Sequence, residues 1–180
     1  SYLIKVSHYE KDQRFLGMER IALDNGVQFG SLFSEPIVTK ILRDLNIPAS
    51  HCNHAQLFLN GEDQGVYVNV ERIDESFLQR CFGSASGALY KVHRPGPGAN
   101  LAYAGPRLED YKNCFSAKTA EAEAAYADLV GLIQALGGGN SVLYEQVLGS
   151  QMVSDDFLRT MAVMLMAGCF DQLTGWNPHN

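Results

Sequence analysis

Residues 56–71 read QLFLNGEDQGVYVNVE and carry the clearest structural signal in the chain. Valines alternate with other residues from Val66 to Val70, a pattern typical of a strand with one buried face. Residues 56–59 form a shorter strand-like run, and Asn60-Gly61 between the two runs supplies the positive φ angles of a hairpin turn. We therefore predict an antiparallel hairpin, with a connecting loop that extends beyond the turn to Gln64.

The residues before this hairpin indicate more sheet and one helix. Ser1–Val6 and Met18–Leu23 are strand-like. Ser34 is placed to cap a helix that ends at residues 46–48. Apolar residues recur in this helix every four positions, so one stripe is formed by Ile37, Ile41 and Leu45.

The residues that follow the hairpin predict a short helix, a strand and a long irregular segment. Asp74 is placed to cap a helix that runs to Phe82 and is closed by Gly83. A strand is expected at residues 87–92. Residues 93–118 are rich in proline and glycine, and we interpret them as a loop-rich insertion with little regular structure.

The last third of the chain is helical in pattern. We expect a helix capped by Thr119 that runs to Leu136, a short helix over 141–148, and a helix capped by Ser154. Residues 157–170 are apolar on nearly every side, which predicts a centrally buried helix. Strands thus precede helices, and the fold class is α+β, with a sheet lobe ahead of a helical lobe.

Composition limits the function classes. The chain has 180 residues with 14 Lys+Arg against 20 Asp+Glu, a net charge of −6. This length fits one domain or two small lobes, and the acidic balance argues against a nucleic-acid partner. The longest apolar run has about ten residues, too short for a membrane span. Four widely spaced cysteines define no pairing and leave the compartment open.

Single residues offer only weak chemical signals. Asp171 follows the apolar helix directly, a position that suits a catalytic base or a metal ligand, although a helix-ending cap is the commoner role. Glu71 ends a strand and reads, by itself, as a surface residue. Lys91 and Lys5 lie on strands from which either side chain can reach a phosphate. His51 and His54 lack the second ligand pair that a zinc site needs.

Negative evidence is equally useful. The chain has no Walker-type phosphate loop, no dinucleotide fingerprint, and no nucleophile elbow. A hydrolase that uses Asp171 and His179 would therefore lack a nucleophile motif, and we rank it last.

The order of these signals is far more specific than any one of them. Along the chain, Asn46-Ile-Pro-Ala49 is followed by Asn60-Gly-Glu62, Gly65-x-Tyr67-x-x-x-Glu71 and Ile73-Asp74. Later come Phe77-Leu78, Gly87-x-Leu89-Tyr90-Lys91, Phe157-Leu158, Asp171 and Asn177-x-His179-Asn180. This series resembles the spore-coat CotH family over nearly the whole chain.

The resemblance implies an atypical protein-kinase-like fold and an ATP- and Mg²⁺-dependent transfer of phosphate to protein serine (or threonine) hydroxyls. It makes Asp171 the catalytic aspartate and Asn180, or else Asn177, the Mg²⁺ ligand. Kinase-type loops carry this asparagine five residues after the aspartate, where this chain has Trp176. Four further residues are expected at the nucleotide: Lys91 or Lys5 at the phosphates, Glu35 in the regulatory helix and Glu71 beside the adenine.

The resemblance also implies a domain organisation. Residues 1–180 would be one kinase-like domain, with the small lobe at approximately 1–73 and the start of the large lobe at 74–180. A second metal-binding aspartate is expected beyond the last residue, so we expect a fragment of a longer protein that is incomplete for activity. Relatives that serve in coat assembly or as adhesins make a non-catalytic binding role the alternative. Their locations suggest a spore coat, a cell surface or secretion.

Overall fold

The computed structural model describes residues 1–27, 30–93, 96, 99–150, 152–169 and 173. The chain divides into two compact units, Ser1–Cys81 and Phe82–Asn180. Strands and helices occur in both, which confirms the α+β class.

The first unit is built on a four-stranded antiparallel sheet with the strand order β1-β2-β4-β3. Helix α1 lies between β2 and β3 in the chain and packs against β3, and α2 follows β4. The bounds are β1 Tyr2–Lys5, β2 Arg20–Asp24, α1 Ser34–Asp44, β3 Cys52–Leu59, β4 Glu62–Val70 and α2 Glu75–Phe82.

The predicted hairpin is confirmed, but its connection is shorter than expected. Leu59 pairs with Glu62, so the loop is the dipeptide Asn60-Gly61 alone, with φ angles of 52° and 85°. The expectation of a loop to Gln64 is wrong because these residues continue the ladder. Gly65, with φ at 86°, provides the extra residue of a bulge between the Gln56 and Phe58 pairings.

Helix α1 differs from expectation at its start. Ser34 lies inside the helix, and the N-cap is Phe33, whose side chain makes no capping bond. Of the apolar residues of α1, Leu42 is buried, whereas the predicted stripe is 39–56% exposed. In contrast, the Asp74 cap of α2 is confirmed, because its Oδ1 accepts the backbone N–H groups of Ser76 and Phe77 at 3.0 and 3.4 Å.

The second unit combines a two-stranded ribbon with a group of helices. The ribbon pairs β5 with β6 in an antiparallel register. The bounds are β5 Tyr90–Val92, α3 Leu108–Lys112, β6 Phe115–Ala117, α4 Ala120–Ala124, α5 Tyr126–Gly137, α6 Ser141–Ser150 and α7 Ser154–Met166. The expectation that 93–118 holds little regular structure is wrong for α3 and β6, because Tyr111 and Phe115 are core residues.

Tyrosine hydroxyls tie the helices of this unit to its ribbon. The Tyr126 hydroxyl donates to the Phe115 carbonyl at 2.8 Å and accepts the Ala117 amide at 3.1 Å.

Thr119 caps α4 as predicted, with its Oγ1 accepting the Ala122 amide. The single helix expected here is divided at Ala125, where φ is −102° and ψ is 19°. This break separates α4 from the helix that Tyr126 begins.

Helix α7 contradicts the expectation of a centrally buried helix. Among its described residues none is buried, and Leu158, Leu165 and Met166 are more than half exposed. Ser154 is also not its N-cap, a position that Val153 occupies. Apolarity shows that burial would be favourable, but it does not supply a surface to pack against, and the core cluster of this unit forms from other elements.

Candidate functional site

The predicted site residues fall into three groups. Lys5, Glu35 and Glu71 lie in the first unit, and Lys91 lies in the second. Asp171, Asn177 and Asn180 lie outside the described residues, as does His179. Their roles stay predictions.

Lys5 is placed at the end of the edge strand β1. It pairs across the ladder with Arg20, and its Nζ lies 4.0 Å from Glu19 Oε1, with both side chains nearly half exposed. An exposed pair at this distance contributes little to stability. Lys5 thus has an acidic neighbour of its own.

Glu35 stands in the first turn of α1 and is half-buried, and its carboxyl group has no hydrogen-bond or ion-pair partner among the described residues. Burial raises the pKa of its carboxyl group, and the negative charge of Asp24 raises it further. Asp24 and the Lys5 partner Arg20 lie at opposite ends of β2, about 13 Å apart at 3.3 Å per residue. Among the described residues, Lys5 pairs with Glu19 and not with Glu35.

Glu71 is held on both carboxylate oxygens. Arg80 donates from Nε to Oε1 at 2.8 Å and from Nη2 to Oε2 at 2.6 Å, and the His51 amide donates to Oε2 at 2.9 Å. Partial burial acts to raise the pKa of Glu71, but the hydrogen bonds from Arg80 and His51 outweigh it and hold the pKa below its usual value. The carboxylate is therefore an ionised structural group.

Lys91 occupies the middle of β5, opposite Ser116. Its neighbours Tyr90 and Val92 pack against the core, so alternation along the strand directs Lys91 to the exposed face. In the parts of the chain that the structure describes, its Nζ has no hydrogen-bond or ion-pair partner. The amine is therefore not engaged by any of the described residues.

Sequence reasoning missed three arginines near the start of β3 and the end of β4. Besides Arg80, Arg43 donates to the Ser50 carbonyl, just before β3. Arg72 carries the one buried side-chain nitrogen that lacks a partner among the described residues, its Nε. The sequence did offer a signal for Arg80: it lies in α2, the helix that follows Glu71 and is capped by Asp74.

The described residues show neither a metal cluster nor a membrane-spanning helix. The described residues contain no group of three or more His, Cys, Asp or Glu side chains placed to hold a metal ion. His54 Nε2 lies 3.0 Å from the Leu32 carbonyl oxygen. Among the described helices, none has the length and apolarity needed to cross a bilayer.

Comparison with known proteins places this arrangement in a family. None of the curated proteins matches the chain. A family model described as CotH kinase protein matches residues 1–180, which confirms the resemblance seen in the sequence and shows that the chain belongs to this family.

Proposed function

We propose that the chain is an ATP- and Mg²⁺-dependent protein kinase of CotH type, which transfers the γ-phosphate of ATP to serine or threonine hydroxyls of a protein. The observation that carries this proposal is the family match over all 180 residues. The position of α1 between the second and third strands of an antiparallel sheet is compatible with a kinase-like small lobe. Residues 1–73 would form that lobe, and residues 74–180 would begin the large one.

Each proposed role has a physical task. Asp171 orients the acceptor hydroxyl and takes its proton, and Asn180 or Asn177 coordinates the metal. Held by these residues, Mg²⁺ would supply positive charge that offsets the charge developing on the β- and γ-phosphates. Lys91 is favoured over Lys5 for the phosphates, because its amine is unpaired among the described residues whereas Lys5 is next to Glu19.

The remaining two roles concern carboxylates of the first unit. The carboxyl group of Glu35 is half-buried and has no partner among the described residues. A cationic group bound next to it would offset the cost of burying its charge. Glu71 fixes the end of β4, and its backbone neighbours lie beside the adenine.

Phosphate transfer by the full-length protein tests the proposal. With ATP labelled in the γ-phosphate and a serine-containing protein acceptor, we expect Asp171→Asn to lower the rate about 10²- to 10⁴-fold, the usual contribution of a general base. Asp155→Asn is the matched control, because Asp155 is an exposed helix residue whose one ion-pair partner among the described residues is Arg159. Unchanged transfer in Asp171→Asn would overturn the mechanism.

Lys91 is tested in the same assay. Lys91→Ala should raise the KM for ATP, whereas Lys118→Ala, which removes another exposed lysine near the same ribbon, should not. If only Lys5→Ala raises the KM for ATP, the phosphate contact belongs to Lys5.

One observation favours the non-catalytic alternative, a coat-assembly or adhesion protein on the same fold. Four apolar side chains along α1 and at its ends are exposed: Phe33, Ile37, Ile41 and Leu45. Exposed apolar side chains that lie together mark protein contact surfaces. Ligand binding separates the two functions. A kinase should gain melting temperature with Mg·ATP in the full-length protein, and the absence of any gain would favour the binder.

A further inference from the structure

The start of β3 and the end of β4 meet at one edge of the first unit. The Glu71 amide donates to the His51 carbonyl at 2.8 Å, and the His51 amide donates to the Glu71 carboxylate at 2.9 Å. The pairing therefore continues one residue beyond β4 by means of a side chain. This reciprocal pair defines where the chain leaves the sheet.

Arg80 connects that edge to α2. Its Nε and Nη2 bind the two oxygens of Glu71, and Nη2 also donates to the Ala49 carbonyl at 3.0 Å. Two parallel bonds to a carboxylate fix the plane of a guanidinium group as well as its position. We call Ala49, His51, Glu71 and Arg80 the Arg80 clamp.

The surroundings hold the clamp in one geometry. The Arg80 guanidinium carbon lies 5.2 Å from the ring centre of Phe77, which is 5% exposed, so the arginine rests on a buried ring one turn earlier in α2. Ala49 and Ser50 are themselves buried, and Arg43 binds the Ser50 carbonyl from α1. Side chains from α1 and α2 thus bind the same three-residue segment, Ala49–His51.

We propose that Arg80 is a positioning residue of the nucleotide site: through Glu71 and the Ala49 carbonyl it fixes the backbone that follows β4, against which the adenine lies. This inference rests on the proposed function, which assigns that backbone to the adenine. The clamp acts through hydrogen bonds to the chain, because both Glu71 oxygens are already occupied by protein donors. Neither Arg80 nor the Glu71 side chain needs to touch ATP.

Arg80→Lys in the full-length protein is the test, because lysine keeps the charge and loses the two-pronged bond to the carboxylate. Losing one hydrogen bond between charged groups is worth about a tenfold change in an equilibrium constant. We expect the KM for ATP to rise by about that factor. The kcat and the KM for the protein acceptor should stay near wild type. Amide hydrogen exchange at His51 and Glu71 should become faster. Glu71→Gln, which keeps the shape of the side chain, should change both readouts in the same direction.

Arg159→Lys is the matched control. It makes the same substitution in an exposed pair with Asp155 and should move neither the KM for ATP nor exchange at His51. Circular dichroism establishes that each variant is folded.

The outcomes separate this inference from the proposed function. If the wild type transfers phosphate and Arg80→Lys speeds exchange without raising the KM for ATP, the clamp is only structural and the inference is overturned. If exchange is unchanged as well, the clamp does not hold the segment and the inference also fails. If the wild type neither binds Mg·ATP nor transfers phosphate, the proposed function itself falls and the inference falls with it.

Discussion

Glu35 is a residue whose ionisation opposes folding. Its carboxyl pKa is raised above the ordinary 4.5 by burial and by Asp24. The folded protein therefore holds this proton more tightly than the unfolded chain does. Its ionised form costs stability at neutral pH, and stability recovers as the pH falls through the folded-state pKa toward 4.5.

Glu35→Gln should consequently stabilise the protein at neutral pH, by up to about 1 kcal/mol. If the chain is the kinase proposed above, the same substitution should lower phosphate transfer. Urea titrations at several pH values measure the first effect, and the labelled-ATP assay measures the second. Glu75→Gln is the control, since Glu75 lies in the first turn of α2 and is exposed. A loss of stability at neutral pH would show that Glu35 has a cationic partner.

At the level of single residues, the sequence predicted local hydrogen bonds better than bonds between residues that lie far apart in the chain. The local caps Asp74 and Thr119 were predictable because a cap bonds to amides two or three residues away. The bond between Arg80 and the Ala49 carbonyl spans 31 residues, and no local pattern encodes it. The exposure of Lys91 and the lack of a partner for the Glu35 carboxyl group among the described residues are likewise consequences of tertiary placement.

At the scale of elements, the β3–β4 hairpin depends on its turn. Gly61 has a φ of 85°, which costs a residue with a side chain about 1–2 kcal/mol. Gly61→Ala should therefore destabilise the first unit by about that amount, measured by urea unfolding with exchange of the β4 amides as the local probe. The structure leaves open space at the Cβ position, so backbone strain is the cause.

Gly149→Ala is expected to have the opposite effect on stability. Gly149 lies within α6 without a positive φ, and an added Cβ meets nothing within 4 Å. Alanine there should stabilise the helix by about 0.5–1 kcal/mol. Equal effects of the two substitutions would contradict the turn argument.

Elements were predictable where periodicity and burial agree, and less so where they diverge. The alternation of Val66, Val68 and Val70 identified β4, and Val68 at its centre is buried although Val66 is half exposed. The composition of residues 93–118 concealed α3 and β6, which owe their existence to the burial of Tyr111 and Phe115. Helix α7 shows the reverse, since its apolar character was evident but its exposure was not.

At the scale of the whole molecule, the acidic charge is shared evenly. Residues 1–81 contain eight basic and eleven acidic residues, and residues 82–180 contain six and nine, so each compact unit has a net charge of −3. Such a field attracts cationic partners and repels anionic ones. If the chain is a kinase, acceptor segments rich in lysine should therefore be preferred.

Paired serine peptides test this preference. Those flanked by lysine should show a several-fold higher kcat/KM than those flanked by glutamate, through faster encounter. The difference should shrink between about 0.01 M and 1 M salt, as the screening length falls from about 30 to 3 Å. A preference unaffected by salt would assign selectivity to local contacts instead of the overall field.

The strand order of the first unit has a consequence for how the protein folds. β3 and β4 are joined by two residues and can pair within about 1–10 μs, as isolated hairpins do. α1 and β3 separate β2 from β4 in the chain, and the pairing of these two strands places Asp24 opposite Val68. Closing this longer segment is slower. Until β2 arrives, the inner edge of β4 exposes unpaired amides beside a row of valines. That transient edge is the place where nascent chains would associate with one another, so the arrival of β2 protects the protein from aggregation as well as completing its sheet.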